Sequence, residues 1–90
     1  MILNTLTKKQ IRKHALAEAP RECCGVIINQ DTVIRCRNTA ADPKFRFSLS
    51  ATDYIKASRQ GTIKAIYHSH LDEEKFSPTD LINSQTHEVN

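Results

Sequence analysis

The sequence predicts an α/β (α+β) sandwich, a β-sheet packed between helices, from the way its apolar residues are spaced. They recur at helical intervals in some windows, alternate or run together in short segments elsewhere, and the two kinds of window interleave along the chain. Ninety residues, 39% of them hydrophobic and none a tryptophan, supply one core and no second. A chain of this size buries only about 60 to 65% of its unfolded surface.

The first helix is capped by Thr7, carries Ile11, Ala15 and Leu16 on one stripe, and cannot continue past Pro20. Cys24–Asn29 reads as a short buried strand, Asn29–Asp31 has turn chemistry, and Thr32–Asn38 alternates, so a hairpin is expected. Asn38–Lys44 is a loop with Asp42-Pro43 as its corner. Phe45, Phe47 and Leu49 alternate with Arg46 and Ser48 as a third strand with an apolar, core-facing side. A helix follows, capped by Ser50 or Thr52 and ended by Gly61, and then a fourth strand over Thr62–His68. Beyond the loop Leu71–Phe76, Ser77-Pro78-Thr79-Asp80 has the form of a helix start, with a cap, a proline in the first turn and an acid three residues after the cap. The predicted order is helix, hairpin, strand, helix, strand, helix.

Charge and cysteine content exclude several classes. The net charge of +3 is too mild to imply nucleic acid, and the basic front segment lacks the interleaved aromatics of a single-strand binder. Residues 1–67 carry twelve bases against five acids, whereas residues 68–90 carry Lys75 against five acids, so the acids gather where the histidines are. No apolar run approaches the roughly 18 to 20 residues of a membrane span, and the first residues lack a signal peptide's apolar stretch, so the expected location is the cytoplasm. Cys23, Cys24 and Cys36, an odd count with one adjacent pair, read as reduced thiols, and without Cys-x-x-Cys spacing they make a poor structural zinc site.

The chemistry concentrates at His68-Ser69-His70. Two imidazoles at i and i+2 on a strand's end share a side of the sheet and can converge on one ion. A third ligand is available from Asp80 if the turn through Leu71–Phe76 brings it back. Two neutral imidazoles and a carboxylate suit Zn²⁺ and leave one tetrahedral position for water, whose pKa such an ion lowers toward neutrality. Hydrolysis also needs a proton acceptor that does not ligate the metal, for which Glu22, just after Pro20 and before a buried strand, is the candidate. Ser77 is placed to donate to an oxyanion.

Taken together, Pro20-Arg21-Glu22-Cys23-Cys24-Gly25, Asn38 with Asp42-Pro43 and Phe47, His68-Ser69-His70, and Ser77-Pro78-Thr79-Asp80 resemble the JAMM (JAB or MPN) zinc metalloprotease domain, over nearly the whole chain to Asp80. The resemblance implies Zn²⁺ on His68, His70 and Asp80, Glu22 as the catalytic acid and base, and Ser77 as the oxyanion donor. It also implies a mixed sheet between helices, similar to the cytidine-deaminase sandwich. The Glu-Cys-Cys-Gly form is most similar to the prokaryotic and phage group. That group includes enzymes cleaving ubiquitin-like sulfur carriers and the N-terminal domains of phage tail assembly proteins.

On this reading the chain is an amidase or isopeptidase acting on a peptide or ubiquitin-like substrate or a phage tail protein, in the host cytoplasm or the virion. The alternative is a non-catalytic interaction domain of a tail protein. Three departures bear on the choice: Leu71 stands where the family usually has proline, the Leu71–Phe76 loop is a residue shorter than usual, and the family's further strands are expected to be missing after Asn90. Residues 1–90 are thus read as one domain with an unpaired sheet edge through which copies can associate.

Each motif also has a structural reading. The Ser77–Asp80 segment is fully explained as a cap, His68 and His70 as exposed strand-end residues, and Glu22 as a surface acid near a helix end. His14 and His87 are expected to face solvent, and Glu73-Glu74 to form a solvated loop tip.

Overall fold

A computed structural model describes the backbone of residues 4–72 and 77–83 and the side chains up to Ser69. The elements in order are α1 (Thr5–Glu18), β1 (Cys24–Ile28), β2 (Thr32–Cys36), α2 (Ala51–Gln60), β3 (Ile63–Asp72) and β4 (Ser77–Asn83). The strands form one sheet in the order β2-β1-β3-β4, with α1 packed on one face and α2 on the other. The sheet lies between helices as the sequence predicts. Its pairings among the described residues are all antiparallel rather than mixed. No described helix is long and apolar enough to cross a membrane.

β1 is the central strand, and all five of its residues are buried because it is paired on both edges and covered on both faces. Ile27 and Cys23 join Ile11, Ala15, Ala65 and Tyr67 on the α1 side, while Cys24, Val26 and Ile28 join Cys36, Ala57 and Ile63 on the α2 side. The three cysteines are free and buried. Burial raises the Cys24 thiol to about 12 and the Cys36 thiol to about 11, so neither is a thiolate at neutral pH.

Several local expectations change. Asn4, not Thr7, caps α1, its side chain accepting from the Thr7 amide at 2.7 Å. Thr7 is buried and donates its hydroxyl to the Asp31 carbonyl at 3.1 Å, tying α1 to the β1–β2 turn. Leu16 lies off the buried stripe and is 65% exposed. The turn at Asn29 and Gln30 has positive φ at both residues, the geometry of a tight hairpin. Asn29 also meets the residue before β3, its backbone N–H donating to the Thr62 carbonyl at 2.9 Å and its side-chain Oδ1 accepting from the Thr62 N–H at 3.0 Å. Gly61 does follow α2, but its φ of 175° is ordinary extended backbone. A side chain there would overlap Asn29, so close approach, not a left-handed cap, accounts for the glycine.

No strand forms at Phe45–Leu49. An isolated bridge pairs Asn38 with Leu49, and Phe45 is 76% exposed instead of in the core. The Arg46 carbonyl and the Ser48 N–H are taken by the Asn38 side chain, described below, and the Phe45 and Arg46 N–H groups turn back to the Asp42 carbonyl. Phe47 and Leu49 still pack against the core on the α2 side, so the alternation placed these two correctly and missed both Phe45 and the pairing.

The segment expected to open a third helix is strand β4, antiparallel to β3 with Leu71 opposite Pro78 and His70 opposite Thr79. Cap chemistry is a local preference, whereas β3 offers a whole row of backbone partners. Pro78 is tolerated because β4 is an edge strand. The Glu73-Glu74 tip, His87 and the helical reading of 84–90 lie outside the described residues.

His14 is not solvent-facing. It is 4% exposed, and its Nδ1 shares a hydrogen bond of 2.7 Å with the Tyr67 hydroxyl. Burial pulls its pKa below the ordinary value, Arg35 adding to the shift and Glu18 opposing it. The unfolded chain therefore binds this proton more readily than the folded one. The associated stability is complete above the unfolded value, about 6.5, and is lost as pH falls below it toward the lower folded value. We expect the melting temperature to fall between pH 7 and 5, and to fall less in His14→Gln, which keeps an acceptor for Tyr67 but does not titrate. Thermal melts at a series of pH values check this.

Candidate active site

The site forms where the start of β1 meets the second half of β3. Cys24 lies opposite His68 in the ladder, and Ser69 extends the pairing by one residue, donating its N–H to the Cys23 carbonyl at 3.1 Å and accepting the Cys23 N–H on its hydroxyl at 2.9 Å. Ser69 is 1% exposed, so this clamp is dry. Alternation along β1 puts Glu22 on the same side as Cys24, and hence on the side of His68.

The side chains follow. Glu22 is 2% exposed, and its Oε1 lies 3.8 Å from His68 Nδ1. A carboxylate and an imidazole, both largely out of water and too far apart for a direct hydrogen bond, face one another at the strand ends. Phe47 stacks on His68 with ring centroids 4.2 Å apart and planes inclined by 18°, which fixes the imidazole's orientation. Glu22 as a surface acid and His68 as an exposed strand-end residue are both excluded by this burial.

The Glu22 backbone is held on both sides. Its N–H donates to the Pro43 carbonyl at 2.6 Å, and its carbonyl accepts from Asn38 Nδ2 at 2.9 Å. Sequence reasoning used Asn38, Pro43 and Phe47 as motif positions without assigning them a task. The sequence pattern divides them between a loop and a strand, whereas the structure places all three in one loop that folds over both Glu22 and His68.

The remaining candidates are placed by backbone alone. His70 continues β3 two residues beyond His68, and β4 sets Asp80 opposite Ser69 and Ser77 opposite Asp72. The side chains of His70, Ser77 and Asp80 lie outside the described residues. Among the described residues no group of three metal-ligating side chains occurs. The donor types nevertheless suit zinc, which takes neutral imidazole nitrogen and carboxylate oxygen, and a buried carboxylate beside His68 is the partner that hydrolysis at such an ion needs.

This fold and this Glu-plus-His-Ser-His strand end define a JAB-type domain. The family model described as prokaryotic homologs of the JAB domain matches residues 7–88, and the chain belongs to that family. It is 46% identical over 78 residues to the tail tip assembly protein K of Escherichia phage N15, a match covering 83% of this chain and 32% of that protein. The chain thus spans about a third of the length of that curated relative. No solved structure matches it.

Proposed function

We propose that the chain is a zinc-dependent amidase of the isopeptidase kind, acting on a peptide or ubiquitin-like substrate or on a protein of a phage tail during assembly, in the host cytoplasm or the virion. The observation that supports this most is the buried Glu22 carboxylate set 3.8 Å from His68. Placing an acid where water is scarce costs stability, and the arrangement is explained by a proton-transfer task. His68, His70 and Asp80 would hold the zinc ion, which when bound would supply Lewis-acid chemistry for the scissile carbonyl and for water. Glu22 accepts the proton of the attacking water and returns it to the leaving amine nitrogen. Ser77 donates to the developing oxyanion. Phe47 and the Ser69–Cys23 clamp keep the His68 ring and the Glu22 carboxylate in place before substrate arrives.

Metal analysis tests the ligand set. We expect about one zinc per chain, with loss of at least tenfold in affinity in His68→Ala and in Asp80→Ala and no loss in Glu22→Gln. Full occupancy in both ligand variants contradicts the assignment.

One observation favours a second reading, a non-catalytic interaction domain of a tail protein. The backbone at 77–83 pairs with β3 as a strand, with Asp80 opposite Ser69, where the metal site calls for the start of a helix. Ligation by Asp80 therefore calls for a backbone path at 77–83 other than β4, such as the helix that Ser77-Pro78-Thr79-Asp80 encodes. Under the enzyme reading, zinc shifts the backbone amide resonances of residues 77–83. Under the interaction reading they stay where they are.

A further inference from the structure

We infer that Asn38 is a positioning residue for Glu22: its side chain is the hub that holds the 38–48 loop closed over the glutamate backbone and over His68. This rests on the role proposed for Glu22 above. The carboxamide is 8% exposed, and its hydrogen-bonding capacity is fully used. Nδ2 donates to the Glu22 carbonyl at 2.9 Å and the Arg46 carbonyl at 3.1 Å, with the Pro43 carbonyl at 3.4 Å as a weaker third partner. Oδ1 accepts the N–H groups of Ala40 and Ser48, both at 3.0 Å.

The loop in turn grips the site at two points. Pro43 accepts the Glu22 N–H at 2.6 Å, so Glu22 is bonded on one side to Asn38 and on the other to a residue that Asn38 helps hold. Phe47, next to Ser48, stacks on His68. One side chain therefore ties the backbone of the proposed acid and base to the aromatic ring that orients the histidine facing it. Loop residues have no ladder to fix them, and proton transfer requires placement to within fractions of an ångström. Asparagine alone presents two donors and an acceptor on so short a side chain. Aspartate at the same site aims an oxygen at carbonyl oxygens, and leucine leaves all five backbone groups without this partner.

The test compares Asn38→Ala and Asn38→Ser with the unaltered chain. Amide hydrogen exchange at Glu22 is expected to accelerate about tenfold or more, and the His68 ring resonances to shift, in both variants. With zinc bound, kcat falls about 10- to 100-fold while zinc content and KM stay within about twofold. A residue that only stabilises the fold lowers the melting temperature without moving the His68 resonances or separating kcat from KM. In the unaltered chain the amides of Glu22, Ala40 and Ser48 should open as one unit, a measurement that stands even if a variant fails to fold. Independent opening of these amides, or unchanged Glu22 protection and His68 resonances in the variants, overturns the inference. Absence of hydrolysis in the unaltered chain bears on the proposed function instead, because the exchange and resonance readouts need no turnover.

Discussion

Replacing Glu22 with glutamine is expected to lower the rate of amide hydrolysis by about 10²- to 10⁴-fold while leaving the zinc in place. The amide has the size of the carboxyl group and keeps hydrogen-bonding atoms at the same positions, but it cannot accept a proton from water at neutral pH. Glu22 is not among the proposed ligands, so zinc content reports the integrity of His68, His70 and Asp80 independently. The same substitution should leave stability unchanged or raise it. Glu22 is 2% exposed, and a neutral amide is less costly to bury there than a charge. Single-turnover hydrolysis and thermal melts on one preparation show both effects. A lost activity with an unaltered or higher melting temperature identifies a side chain kept for chemistry.

The largest effect on folding is expected at Tyr67. Its side chain is fully buried, lies opposite Gly25 in the β1–β3 ladder, and packs over that glycine so closely that a Cβ at position 25 would overlap the ring. Its hydroxyl meets His14 Nδ1 at 2.7 Å, and the two rings are edge-to-face at 5.8 Å. Burial pushes the phenol well above its ordinary range, so the bond joins two neutral groups. One residue of β3 therefore covers the Gly25 position of β1 and fastens α1 to that face of the sheet.

Tyr67→Ala should cost about 3 to 5 kcal/mol, a large share of the roughly 5 to 15 kcal/mol that holds a domain together. Tyr67→Phe, which keeps the ring and removes the hydroxyl, should cost about 1 to 3 kcal/mol, mostly by leaving His14 without its buried partner. Gly25→Ala, which adds one methyl under the ring, should cost about 1 to 3 kcal/mol. The double variant Gly25→Ala/Tyr67→Ala should be more stable than the sum of the single effects allows, because the methyl enters space that the ring has vacated. Urea unfolding of the four variants beside the unaltered chain measures these differences. Strict additivity contradicts the packing described.

The parts of this molecule legible in its sequence are those where one signal dominates. β1 read as a buried strand because its run is continuously apolar, and the hairpin read correctly because Asn29–Asp31 separates two strand-like segments. His68 and Glu22 were legible as a pair only through the combined motif. Nothing in the local pattern around Glu22 distinguishes a buried acid from a surface one.

Where sequence reasoning failed, tertiary partners outweighed local preference. Phe45–Leu49 alternates like a strand, yet its Arg46 carbonyl and Ser48 N–H are taken by the Asn38 side chain, and its Phe45 and Arg46 N–H groups by the Asp42 carbonyl. Ser77–Asp80 has a helix cap's chemistry but pairs with β3, whose exposed edge offers a continuous ladder. His14 lies on the buried stripe of α1, with Ile11 and Ala15, and the sequence carried no sign that a tyrosine on a distant strand would supply its partner. Long-range pairings of this kind are set by the packed core, not by neighbours along the chain.

Glu22 and a zinc ion held beside it are expected together to break an amide bond. The most direct measurement supplies the chain with one equivalent of zinc and follows cleavage of peptide and isopeptide substrates, including tail protein, beside the zinc-free chain and zinc-loaded Glu22→Gln. Cleavage is expected from the zinc-loaded chain alone, with both controls reduced at least about a hundredfold. Equal cleavage by Glu22→Gln, or a fully zinc-loaded chain that binds tail protein and cleaves none of these substrates, would contradict this expectation.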